Sequence, residues 1–167
     1  MSRAVPVPPL DPKASLGTNA RRVLTVRVAE LFSYAPIIPD AEATEALHDA
    51  RIATKRLRYT LELFRSVFQD EGDRAIEQLK DLQEELGQLH DHDVRIVLID
   101  EELSTLDDHA EEDAKAIRPG LEGLLQRERN ARATCHTAVV ERWRGLEREQ
   151  VQARLTALAL SPSLVTG

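Results

Sequence analysis

A single cysteine, Cys135, leaves this 167-residue chain without the means for an internal disulfide and fits a reducing compartment. Aromatic residues make up only 4% of the composition, which leaves few faces on which nucleic-acid bases could stack. Glycine is scarce, and neither a glycine-rich phosphate loop nor a Gly-x-Ser-x-Gly elbow is present. No apolar run approaches the ~18 residues of a membrane span. The greasiest piece, Val94 to Ile99, is interrupted by Arg95, and the opening MSRAVPVPPLDPK has no apolar core of signal-peptide length. The expectation is a cytoplasmic protein with no membrane association and no cofactor.

What remains is rich in Ala, Leu, Glu and Arg, residues that favour helix nearly everywhere. With 42% hydrophobic and 31% charged residues, the chain can bury a core of its own. The net charge is −7, yet residues 1–69 hold ten Lys/Arg against seven Asp/Glu, whereas residues 70–167 hold twelve against twenty-two. The acid concentrates in residues 100–113, where eight of fourteen are Asp or Glu. The basic character concentrates in LHDARIATKRLRYTLELFRSVF, Leu47 to Phe68. At ~100° per residue, His48, Arg51, Lys55 and Arg58 form one stripe at i, i+3, i+7 and i+10. Ala50, Ala53, Leu57, Leu61, Phe64 and Phe68 occupy the opposite side, with Arg56 off the stripe. Like charges one turn apart repel, and Glu62 alone sits on the stripe to relieve them, so a polyanion is the natural counter-charge.

Periodicity then orders the chain as an all-α four-helix bundle. Residues 1–12, with four of the eight prolines, read as a flexible leader. One domain follows over 13–158, with a frayed tail at 159–167. The first helix is expected from about Lys13 to Ser33, stopped by Pro36 and Pro39. Leu16, Ala20, Val23, Leu24 and Leu31 share its apolar face, and Arg27 lies near the middle of that face. Asp40 is suited to cap the second helix, and Asp70-Glu71-Gly72-Asp73 is expected to break it from the third. The third helix uses Leu79, Leu82, Leu86, Leu89, Ile96 and Val97 as its stripe and runs toward Leu106, with a hinge over Leu106 to Asp113. Asp93 falls on that apolar stripe, which calls for a cationic partner, either Arg27 or an arginine of the second helix. Pro119 suits the first turn of a fourth helix running to about Ala157. Along it Arg129, Arg132 and His136 follow one edge.

His90-Asp91-His92-Asp93 and His48-Asp49 together invite a metal reading of the HD-phosphohydrolase kind. On a helix, however, His90 and His92 project ~200° apart and cannot chelate one ion. The second Glu-x-x-His motif that a di-iron bundle needs beside Glu45-Ala46-Leu47-His48 is missing. Cys135 lies on an apolar stripe and reads as core filling, and His109 and His136 have no evident partners. Neither a metal site nor a catalytic residue is therefore expected.

The residues resemble the CHAD family, the conserved histidine α-helical domain, over roughly 14–150. His48-x-x-Arg51-x-x-x-Lys55-Arg56-Leu57-Arg58 is similar to its basic motif. Leu86-Gly87-Gln88-Leu89-His90-Asp91-His92-Asp93-Val94 is similar to its Leu-Gly-x-x-x-Asp-x-Asp-Val signature. The resemblance implies an all-helical, non-catalytic domain that binds inorganic polyphosphate, with His48, Arg51, Lys55, Arg56 and Arg58 as its basic motif. Lys80 matches a further basic position, and Arg129, Arg132 and Arg27 join the candidate set on helix geometry. The sequence departs from the family in two ways. It holds one four-helix unit where members commonly hold two, which admits a homodimer, and His90 stands where many members carry Arg. Two rival readings are a helical protein-interaction module docking a basic partner through residues 100–113, and an HD-type metal-dependent phosphohydrolase. Nucleic acid is a weaker rival, given the charge and the few aromatics.

Overall fold

In the computed structural model, which describes residues 4–107 and 112–161, the described residues form five helices and no strand. These are α1 (Leu16–Phe32), α2 (Thr44–Leu63), α3 (Arg65–Asp107), α4 (Glu112–Arg148) and α5 (Val151–Leu160). The 43-residue α3 and 37-residue α4 form a long hairpin against which the shorter helices pack. α2 lies along α3, α1 lies on α2, and α5 returns onto α1. At 1.5 Å per residue α3 is about 65 Å long, roughly twice the length of α2. The all-helical class is as expected, but the helix count is five rather than four.

The extra helix has a local cause. Gln150 adopts a left-handed conformation (φ 53°, ψ 38°) and ends α4, and Val151 starts a new helix in another direction. Arg154 braces the turn, donating to the Glu71 carboxylate at 2.7 Å and to the Glu149 carbonyl at 3.2 Å. Pro119 does not start α4, as its fixed φ would allow; the helix already runs from Glu112, and Pro119 sits inside it.

Asp70-Glu71-Gly72-Asp73 is no break either. α3 runs through it, and the interruption falls earlier, at Phe64 and at Gln69 (φ 47°, ψ −139°). The basic helix therefore ends at Leu63 instead of reaching Phe68. Gly72 serves packing: a Cβ there would meet the Phe68 Cβ at 2.7 Å. Gly72 is buried, and Phe68 is 2% exposed in the core. Asp40 does not cap α2. Its carboxylate accepts from the Glu42 N–H at 3.0 Å in the preceding turn, and Ala43 stands at the N-cap without a side-chain hydrogen bond. α1, by contrast, is capped by Ser15, whose Oγ accepts from the Thr18 N–H at 3.1 Å.

Leucines from every layer meet in one core, including Leu24, Leu31, Leu57, Leu79, Leu86 and Leu155. Phe32 of α1 stacks obliquely on Trp143 of α4 with ring centroids 5.4 Å apart. His136 is buried here, its Nε2 donating to the Ile38 carbonyl at 3.0 Å. Cys135 packs against the same core, and burial pushes its thiol above its ordinary pKa. Two apolar positions are not where periodicity alone puts them: Leu16 and Val97 are exposed. Val97 lines an open cleft with Ala41 and Glu42, which precede α2, and Arg129 of α4. Residues 4–11 have no regular secondary structure, but Val5 and Asp11 are hydrogen-bonded to side chains of α1. The acidic hinge expected over Leu106 to Asp113 falls between α3 and α4, and residues 108–111, with His109, lie outside those described.

Candidate functional site: facing stripes of α2 and α3

α2 and α3 run antiparallel, and their register is fixed by three contacts: His48 with His90, Arg51 with Gly87, and Arg58 with Gln83. On α3 the facing positions Lys80, Gln83, Gly87 and His90 are spaced i, i+3, i+7, i+10. That is the same spacing as His48, Arg51, Lys55 and Arg58 on α2, run in the opposite direction. Two matched stripes thus face each other over about 15 Å of helix, with the histidines at one end and the positions of Arg58 and Lys80 at the other.

Each side chain is held differently. Arg58 is the most constrained: Nε donates to Gln83 Oε1 at 3.0 Å, Nη1 to Glu62 at 2.7 Å, and the guanidinium stacks 4.6 Å from the Tyr59 ring centre. The Lys55 ammonium lies 5.6 Å from the same ring. Arg51 crosses the helix interface at Gly87, where a Cβ would lie 3.7 Å from its Nε. That Nε is buried and without a hydrogen-bond partner. Among the described residues neither Arg51, Lys55 nor Lys80 has a carboxylate partner. A buried N–H donor without a hydrogen-bond partner costs about 1–3 kcal/mol.

At the histidine end, His48 Nδ1 and His90 Nδ1 are 3.2 Å apart, with ring centroids 4.4 Å apart. Burial holds His48 below its ordinary pKa, the neighbouring His90 and Arg51 push the same way, and Asp49 opposes them. His92 points to the opposite side of α3 and meets Glu128 of α4 at 2.6 Å. That hydrogen bond is the main reason the Glu128 carboxyl lies below its ordinary range, with Arg95 assisting. Among the described residues no group of three His, Cys, Asp or Glu side chains is placed to hold a metal ion.

The remaining candidates lie elsewhere. Arg27 and Arg56 converge on one carboxylate, Glu30, at 2.6 and 2.8 Å, and Glu30 is almost fully buried. Arg27 also donates to the Val5 carbonyl at 3.0 Å. Arg27 of α1 and Arg56 of α2 thus meet at the α1–α2 interface, away from the face that α2 turns to α3. Asp93 is paired with neither Arg27 nor an arginine of α2, but with Arg132 of α4, whose Nη2 also donates to Thr44 at 3.1 Å. Arg129 pairs loosely with Asp100 at 3.4 Å at the surface. Arg129 and Arg132 line a separate cleft of about 440 Å³ with Thr44, Asp93 and Ile96.

The sequence does not by itself pair His90 with His48, and it marks Gly87 only as part of the second motif. The signal was present in the repeated 3-4-3 spacing on the two helices, which becomes informative once their register is known. Arg27, which on an apolar face calls for a buried carboxylate partner or an anion, meets a buried carboxylate in Glu30, three residues on in its own helix.

The match to known proteins falls on the same two helices. No curated protein and no solved structure matches the chain. The family model described as CHAD domain matches residues 3–100, which cover α1, α2 and most of α3 and therefore every residue of the two stripes. Over more than half its length, then, and with both motifs in the matched span, the chain belongs to the CHAD domain family.

Proposed function

We propose that the facing stripes of α2 and α3 bind inorganic polyphosphate without catalysing its breakdown. The observation that carries this reading is Arg51, a cation lodged between the two helices with a buried, unpartnered Nε, beside Lys55 and Lys80, which lack carboxylate partners among the described residues. Arginine forks bind phosphate oxygens bidentately, and lysines add point charges along the chain. A linear polyanion matches the linear arrangement of His48, Arg51, Lys55 and Arg58, with Lys80 on the opposite wall. Membership of the CHAD family, which is associated with polyphosphate binding in general, supports the same ligand. The binding set narrows to these five; Arg27 and Arg56 drop out because both are tied to the buried Glu30 at the α1–α2 interface.

The test is calorimetric titration of long-chain polyphosphate into the wild type and an Arg51→Ala/Arg58→Ala variant with unchanged circular dichroism. Losing two charge-assisted contacts of about 1.5–3 kcal/mol each predicts a drop of about a hundredfold or more. Equal affinity overturns the site, and no binding by either protein overturns the function. Affinity is also expected to fall steeply with salt, through release of condensed counterions.

A further inference from the structure

The contact that closes the histidine end of the facing stripes depends on protonation. A hydrogen bond between His48 Nδ1 and His90 Nδ1, 3.2 Å apart, needs one donor and one acceptor. It forms when both rings are neutral with their protons on different nitrogens, or when one ring alone is an imidazolium. With both rings protonated each Nδ1 is a donor, the bond is lost, and two cations face each other across a ring separation of 4.4 Å.

The surroundings decide how easily that state is reached. On α2, Asp49 and Arg51 flank His48, with Glu45 nearly one turn back; on α3, Asp91 follows His90. Nearby, Asp93 is occupied by Arg132 of α4. The free Arg51 charge and burial both oppose protonation of His48, and Asp49 only partly offsets them. The protonated form of His48 is therefore disfavoured beside its partner until an anion supplies a counter-charge.

We infer that His48 and His90 form a proton-operated gate on the α2–α3 site: hydrogen-bonded to each other they close its end, and doubly protonated they part and present two N–H donors to a phosphate group. This rests on the polyphosphate reading and adds regulation to it. No covalent change is involved; protons come from solvent on binding and return to it on release. Binding is thus linked to proton uptake, and affinity rises as pH falls, in the same way that a proton bound preferentially by one state stabilises that state.

The experiment is titration of long-chain polyphosphate at constant ionic strength at pH 7.5 and 5.5, and at pH 7.0 in two buffers of different protonation enthalpy. The wild type is compared with His90→Gln. Expected for the wild type are net proton uptake and about tenfold or greater tightening at pH 5.5, because one linked proton changes the binding constant by up to tenfold per pH unit. In His90→Gln most of this dependence is lost. Binding without proton uptake, or the same pH dependence in both proteins, overturns the gate and leaves the polyphosphate site standing. Absence of binding at any pH overturns both. Should His90→Gln not fold, histidine NMR titration of the wild type decides: two separated, mutually dependent steps that both move to higher pH with polyphosphate support the gate. Two independent titrations overturn it.

Discussion

Arg51 of α2 crosses α3 at Gly87, where a Cβ built on the glycine would lie 3.7 Å from Nε, an ordinary van der Waals distance. The glycine sits within a continuous helix and has no need of unusual backbone freedom, so its role is to leave a lane for the guanidinium. A methyl group fits in that lane, and a larger side chain does not. Gly87→Ala is therefore expected to stabilise the protein by about 0.5–1 kcal/mol, the usual helix gain over glycine. Melting should rise by a few degrees, with polyphosphate affinity kept. Gly87→Leu displaces Arg51 and should lower affinity about tenfold or more. Differential scanning calorimetry and the polyphosphate titration check the two halves. Unchanged binding by Gly87→Leu would count against Arg51 as a ligand.

Glu30 gathers Arg27 and Arg56 at 2.6 and 2.8 Å while itself nearly fully buried. Its removal takes away the carboxylate that the two guanidinium groups share at the α1–α2 interface. Breaking a buried pair from one side costs about 3–5 kcal/mol, and the low end applies because Arg56 keeps a quarter of its side-chain surface exposed. Glu30→Ala should therefore lower stability by about 3 kcal/mol, read as a reduced denaturant midpoint. Arg56→Ala should also destabilise the protein while leaving polyphosphate affinity within about twofold of wild type. A large loss of affinity in Arg56→Ala, with folding intact, would return that residue to the binding set.

The sequence carried the all-helical class because helix formers dominate and the 3.6-residue stripes are long. It also carried the basic face of α2, since the spacing of His48, Arg51, Lys55 and Arg58 is a property of one helix. Features that depend on two helices were beyond it. Arg56 lies only one residue from Lys55, and nothing local says that it meets Glu30 of α1. Asp93 called for a cation, but the choice of Arg132 needed the α3–α4 pairing. Helix boundaries failed where punctuation misled: Gly72 and Pro119 look like breakers and sit within helices. The real interruptions, at Gln69 and Gln150, use a residue type with no left-handed preference.

Gln69 and Gly72 form a second pair whose roles can be exchanged by mutation. Gln69 carries φ 47° and ψ −139°, a region in which L side chains are strained, whereas Gly72 lies against the Phe68 Cβ. Strain of this kind costs about 1–3 kcal/mol. Gln69→Gly removes it, partly offset by the greater freedom of glycine in the unfolded chain, so a small net gain in stability is expected. Gly72→Ala pushes a methyl group into Phe68 and should destabilise by about 1–3 kcal/mol. Urea denaturation of the two variants should move the midpoint in opposite directions. A neutral Gly72→Ala would mean that Phe68 shifts freely, contrary to its buried position.

Two titrating groups set the direction of acid sensitivity in the ligand-free protein. His48 is held below its ordinary value of 6.5 chiefly by burial, so the folded state binds fewer protons than the unfolded one. Its contribution is full above pH 6.5 and is lost as pH falls from 6.5 through the depressed value. Glu128, held below its ordinary 4.5 by the His92 hydrogen bond, keeps its contribution above pH 4.5 and loses it as pH falls through its own depressed value. Stability should thus decline in two stages on acidification, one beginning below pH 6.5 and the other below pH 4.5. Melting temperatures from pH 8 to pH 3.5 test this, with His48→Gln flattening the upper stage and Glu128→Gln the lower. Under the proposed gate, polyphosphate is expected to reverse the first stage, because the bound anion favours the protonated His48 that the free protein resists. A melting temperature that falls between pH 6.5 and 5.5 without polyphosphate, and rises with it, separates proton-linked binding from a plain charge effect of the basic stripe.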